Sequence, residues 1–259
     1  MTFKVRETNG STATELNSTA QKNAGLVAAG NISLVTGITI SAKGIYTNTN
    51  VTFSPACTIT PNASTGYARI LTVSCPFTAI GTADTYDVDI EVVSDYYTGE
   101  GAAIIQVTDP NAGFATGGGW YWYDAAKTEK VNFGFMAKAT IVNNKKTNFQ
   151  GSLLVIRHKS DGTIVRVKSN VFDGYNIQTV GSCFAASFGG KANYQENGVT
   201  IGNYQFSGYA EDCGEPGTTD KFGLYQAYSP NAVTTSPTLA GVQASAKTLT
   251  GGNIQVPKK

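Results

Sequence analysis

Four carboxylates crowd one short stretch of this chain: Glu211, Asp212, Glu215 and Asp220 are interspersed with Gly214, Pro216 and Gly217. Hard oxygen ligands on a sharply turning backbone suit Ca²⁺, so the stretch is a candidate calcium loop, although its spacing is not that of an EF-hand. The same acids would serve in a solvated turn, capping backbone amides or meeting Lys191 and Lys221. A second cluster is aromatic, with Trp120, Tyr121, Trp122 and Tyr123 following directly on Gly117-Gly118-Gly119. Alternate side chains of a strand share a face, which puts the two Trp on one side and the two Tyr on the other. One pair is expected in the core, and an exposed flat pair would stack on sugar rings. Tyr96 and Tyr97, in a polar turn with Gly99, form a second candidate sugar platform.

Groups suited to catalysis are sparse. The single His, His158, stands between Arg157 and Lys159 at the end of a predicted hairpin, a position of a surface cation rather than of a general base. The Ser residues in Gly151-Ser152-Leu153 and Val180-Gly181-Ser182-Cys183 lack the strained G-x-S-x-G elbow of a nucleophile. Asp87, Asp89 and Glu91 alternate along one predicted strand and so share a face, the pattern of a sheet's wet side rather than of a glycosidase acid and base. The expectation is a protein without catalysis.

Four Cys divide as Cys57 and Cys75 in the first half and Cys183 and Cys213 in the second. Their spacing fits neither zinc-binding pairs nor a redox C-x-x-C, so two intradomain disulfides are expected, with buried free thiols as the alternative. Disulfides together with a charged fraction of only 14% favour an oxidising, extracellular compartment. Five N-x-Ser/Thr sequons, at Asn9, Asn17, Asn31, Asn50 and Asn62, all fall in the first quarter; a Ser/Thr-rich segment also generates such triplets by composition. A formal charge of +1 and scattered Lys and Arg argue against nucleic acid, and no apolar run is long enough to insert in a membrane as a helix.

The elements that must position these groups are strands. Val and Ile number 36 against 9 Leu, and β-branched side chains favour pleated surfaces. Helices are expected to be absent or single-turn. Strands are predicted at 2–6, 32–40, 44–53, 57–61, 68–77, 84–93 and 102–108, then at 120–123, 131–142, 151–158, 163–169, 185–194, 202–211, 221–228 and 253–256. The clearest turn is Lys159-Ser160-Asp161-Gly162, where Asp-Gly supplies a positive φ between two apolar runs. Asp109-Pro110 and the glycine triplet predict a linker over 110–119. The chain thus reads as all-β, with two tandem sandwiches at 1–109 and 120–259. The first is immunoglobulin-like in the loose sense, since its Cys pair could join neighbouring strands or the two sheets and the characteristic Trp is missing.

Six short motifs occur in order: Phe114-Ala115-Thr116-Gly117-Gly118-Gly119-Trp120, Val131-Asn132-Phe133-Gly134-Phe135, Gln150-Gly151-Ser152-Leu153-Leu154, Phe188-Gly189-Gly190-Lys191-Ala192, Glu211-Asp212-Cys213-Gly214-Glu215-Pro216-Gly217 and Gly251-Gly252-Asn253-Ile254. Over about residues 110–257 the chain thereby resembles the post-COAP domain, and residues 87–110 resemble the closing strands of the immunoglobulin-like or other repeat modules that often precede it. The resemblance implies a C-terminal β module of large secreted or surface proteins, with no catalytic residues to carry over. The expected role is a structural, adhesive or display module whose partners are other modules, neighbouring subunits or surface glycans. Carbohydrate binding through exposed aromatics is the alternative, and a hydrolase role is third. The strand at 2–6, followed by a long polar stretch, could pair with the edge of an adjoining module.

Overall fold

The computed structural model describes residues 1–6, 37–61, 70–78, 83–93, 99–107, 113–142, 145–227 and 238–257. The protein is all-β: among these residues one short helix accompanies fifteen strands. Two compact units emerge, the first made of Met1–Ala42, Asn50–Ile80 and Val88–Ala102, the second of Lys43–Thr49, Gly81–Asp87 and Ala103–Lys259. The division departs from the expected blocks at 1–109 and 120–259, because residues 43–49, 81–87 and 103–109 go with the second unit.

The first unit contains β1 (Thr2–Arg6), β3 (Thr58–Pro61) and β4 (Ile70–Ser74), a sheet of order β1-β4-β3. A further sheet, of order β2-β5-β6, is formed by β2 (Gly37–Gly44), β5 (Asp84–Val93) and β6 (Gly99–Val107), whose outer ends belong to the first unit. Val73 and Cys75 are fully buried, and Ile38, Ile40, Phe53, Ile59 and Val92 pack on them from both sheets. The strand expected over 44–53 is instead a turn followed by isolated bridges. Asp84 dictates this: its carboxylate accepts the backbone N–H groups of Tyr46 at 3.1 Å and Thr47 at 2.7 Å, bending the chain where a ladder would continue. Thr58 faces Ser74 across β3 and β4, so the Cys57–Cys75 disulfide joins neighbouring strands of one sheet, not the two sheets.

The second unit is dominated by one nine-stranded antiparallel sheet. Its strands are β7 (Ala115–Trp122), β8 (Lys130–Val142), β9 (Lys145–His158), β10 (Ile164–Val180), β11 (Cys183–Glu196), β12 (Val199–Asp212), β13 (Lys221–Gln226), β14 (Lys247–Thr248) and β15 (Gly251–Gln255). They run β14-β13-β12-β11-β10-β9-β8-β7-β15. The sheet rolls until distant strands meet, and its facing halves pack as the layers of a sandwich do: Phe133 of β8 stacks on Phe222 of β13 with ring centroids 4.0 Å apart. Phe135 of β8 lies 4.9 Å from Phe188 of β11. Residues 247–255 then close the roll. Lys247 and Thr248 pair with β13, Leu249 donates to the Asp220 carbonyl, Thr250 donates to the Trp120 carbonyl, and Gly251 to Gln255 pair with β7.

That closure explains the glycine triplet, which is strand and not linker. A Cβ on Gly119 would sit 2.4 Å from the Gly251 carbonyl oxygen, and one on Gly117 would sit 2.8 Å from Ile254 Cγ1. The glycines let the closing strand approach, a role that mimics a chain break in the sequence. Residues 110–112 lie outside the described residues.

The expected hairpin at 159–162 is present, with Lys159 N–H bonded to the Thr163 carbonyl at 2.9 Å and Gly162 at φ +87°. The helix α1 (Leu239–Ser245) has two turns, more than expected; Thr238 caps it by accepting from Gly241 N–H, and Val242 is buried with Ala185 and Tyr209.

Candidate functional site

The sequence singled out two clusters on the second unit, and the structure treats them differently. In the acidic loop each carboxylate has a partner within the chain. Glu211 is buried and accepts from Lys221 Nζ at 2.8 Å and from the Tyr209 hydroxyl. Asp212 accepts the N–H groups of Gly214 and Val256, both at 3.0 Å. Glu215 accepts from Asn253 Nδ2 at 2.8 Å. Asp220 is fully buried and accepts the N–H groups of Cys213 at 2.9 Å and Ile254 at 2.8 Å. Burial raises the Asp220 pKa above its ordinary value, and the two amides oppose that rise. The loop is thus fastened to the segment that closes the sheet.

Cys183, Glu211 and Cys213 bring potential metal-ligand atoms within 4.8 Å of one another. The two sulfurs are joined to each other, however, so neither is a thiolate while the disulfide is intact. Phe184 faces Asp212 in the ladder, which makes this disulfide, like the first, a link between neighbouring strands at the open end of their pairing.

The aromatic run splits by face. Tyr121 points into the core, 1% exposed, with its hydroxyl unpartnered and its pKa pushed well up by burial. Tyr123 lies beneath the Arg157 guanidinium, whose Cζ is 3.4 Å from the ring centroid; Arg157 is itself buried and paired with Glu129. Trp120 and Trp122 are half-buried on the opposite, outer face. Their rings meet at 88° with centroids 5.5 Å apart, so they form a corner and not the flat pair that sugar stacking was expected to use. Lys130, which the sequence did not single out, holds its Nζ 4.4 Å from the Trp120 centroid. Its signal was register: it pairs with Trp122 across the β7–β8 turn. Asp124 organises that turn, accepting from the N–H groups of Thr128 and Glu129 at 3.0 Å.

His158 is half-buried, not a free surface cation. Burial first, then the charges of Lys130 and Arg166, hold its pKa below the ordinary value. Asp87 is buried, contrary to the expected wet face, because Lys168 Nζ at 3.1 Å and Arg166 at 3.7 Å cover it; Asp89 and Glu91 are exposed. Tyr96, Tyr97, Asn9, Asn17, Asn31 and Asn62 lie outside the described residues, whereas Asn50 is exposed. Among the described residues no helix is long and apolar enough to cross a membrane.

Set against protein-family models, curated proteins and solved structures, the chain matches none.

Proposed function

We propose that this protein is a non-catalytic structural or adhesive module of a secreted or surface-exposed protein. The observation that carries the reading is the rolled sheet, whose two ends are joined by one segment of chain. Residues 247–255 supply both of its terminal strands, β14 on β13 and β15 on β7, and its inner face is spent on packed aromatic and aliphatic side chains, the construction of a load-carrying block rather than of a ligand cup. Two disulfides support an oxidising compartment, and the ordered motifs resembling the post-COAP domain support a modular parent.

Self-association through β1 belongs to the same reading. β1 pairs along its length with β4, and residues 7–36 separate it from β2, a connection long enough for the strand to be exchanged between copies at low cost. The test is light scattering of the full chain beside a variant carrying Lys4→Cys and Thr72→Cys, positions that face each other in the ladder. The full chain should form concentration-dependent oligomers that the oxidised locked variant does not form. A full chain that stays monomeric at every concentration, or a locked variant that assembles while oxidised, overturns the exchange.

Carbohydrate binding is the second reading, favoured by the outer-face corner of Trp120 and Trp122 with Lys130 against it.

A further inference from the structure

Two register rows assemble one patch on the outer face of the large sheet. The first sets Trp122, Lys130 and His158 side by side across β7, β8 and β9; the adjoining row runs from Trp120 through Asn132 and the fully buried Ile156 to Arg166. Partners directly opposite in a ladder share a face, so these groups project together. Trp120, Trp122, Lys130, His158 and Arg166 are half-buried, neither core nor fully solvated.

Among the described residues, Lys130 is the one group of these five that carries an unmatched positive charge. Arg166 has Asp87 at 3.7 Å, and the other Asp87 oxygen is taken by Lys168. Among the described residues no carboxylate lies within ion-pair distance of Lys130, whose ammonium instead rests against the Trp120 ring. Burial lowers the Lys130 pKa below its ordinary value.

We propose that this corner binds an acidic saccharide, the perpendicular Trp120 and Trp122 rings holding the apolar face of a pyranose while Lys130, with His158 beside it, receives a uronate carboxylate. The proposal rests on the carbohydrate reading and gives it a substrate class. Apolar walls at right angles fit a ring with an edge and a face, which a bare inorganic anion would leave unused. A nucleic-acid track would need successive parallel stacking platforms along a basic stripe, and this corner offers one unmatched ammonium.

The experiment is titration calorimetry of the full-length oxidised protein with four probes: a galacturonate tetramer, a neutral galactose tetramer, sodium sulfate and an oligothymidylate. A charge-assisted contact of this kind corresponds to roughly tenfold in affinity, so the uronate should bind about tenfold tighter than the neutral sugar. Lys130→Met, which keeps an apolar stem on Trp120, should abolish that preference, bringing the affinities for the two sugars together, and Trp122→Leu should weaken both sugars. Circular dichroism of each variant confirms that the fold persists. Equal binding of the two sugars overturns the acidic site and leaves the carbohydrate reading standing; no sugar binding overturns both. Sulfate bound as tightly as uronate, or thymidylate bound more tightly, overturns the saccharide assignment, as does a Lys130→Met variant that keeps the preference.

Discussion

Each unit carries one disulfide, and both disulfides do the same geometric job, closing the open end of an antiparallel strand pair: Cys57–Cys75 beside β3 and β4, Cys183–Cys213 beside β11 and β12. Their surroundings differ. Among the described residues, the cluster around the first pair is the buried Val73 and Cys75 with half-buried neighbours, so the cystine is itself part of that cluster. Around the second, the rolled sheet supplies a continuous core of stacked rings, and β11 and β12 each have another strand on their far side. Among the described residues the first bond is thus part of a small buried cluster and the second stands beside a large one.

The strongest way to break this contrast is to attack the larger core directly. Phe222 packs on Phe133, Phe135 and Tyr121, and Phe222→Ala should cost about 3–5 kcal/mol in denaturant unfolding. A loss under about 1 kcal/mol would mean that the rings are not the source of the unit's stability. Next in size is reduction. By loop entropy each disulfide contributes about 3 kcal/mol, yet the outcome should be unequal: after reduction the amides of β3 and β4 lose their protection from hydrogen exchange while those of β8 to β11 retain it. Equal loss in both regions would erase the distinction. The smallest effect sharpens the picture of the outer face. Because the His158 pKa is depressed in the fold, the unfolded chain takes up the proton first as pH drops below the ordinary value of 6.5. Stability should therefore fall through that window and recover as pH rises, and His158→Gln should flatten the slope there. An unchanged slope would place the pH dependence elsewhere.

Much of this architecture was legible in the sequence, for identifiable reasons. β5 was delimited by its alternation, the 159–162 hairpin by Asp161-Gly162, and both cystines by parity within each half. What misled was chemistry with two structural uses. Glycine at 117–119 breaks a chain in one setting and admits a close backbone in another, and only the distant Gly251 and Gly252 decide which. β10 runs on to Val180 because bulges at Ser169/Val171 and Phe172/Gly174 shift its alternation, hiding the second half of the strand. At the site, strand periodicity separated Tyr121 from the two Trp, but the angle between the indoles and the placement of Lys130, His158 and Arg166 depend on pairing across four strands. In the acidic loop the sequence brings the carboxylates together but does not reveal that Asp212 and Asp220 cap the distant amides of Val256 and Ile254.

The closing segment has a consequence for biosynthesis. Until residues 247–255 leave the ribosome, β7 and β13 are both open edges of a long, apolar sheet, because the one stretch that pairs with them is still unmade. Completion of this unit therefore waits on residues 247–255, and until that one segment pairs with both strands the nascent chain presents open edges of the kind that pair with other chains.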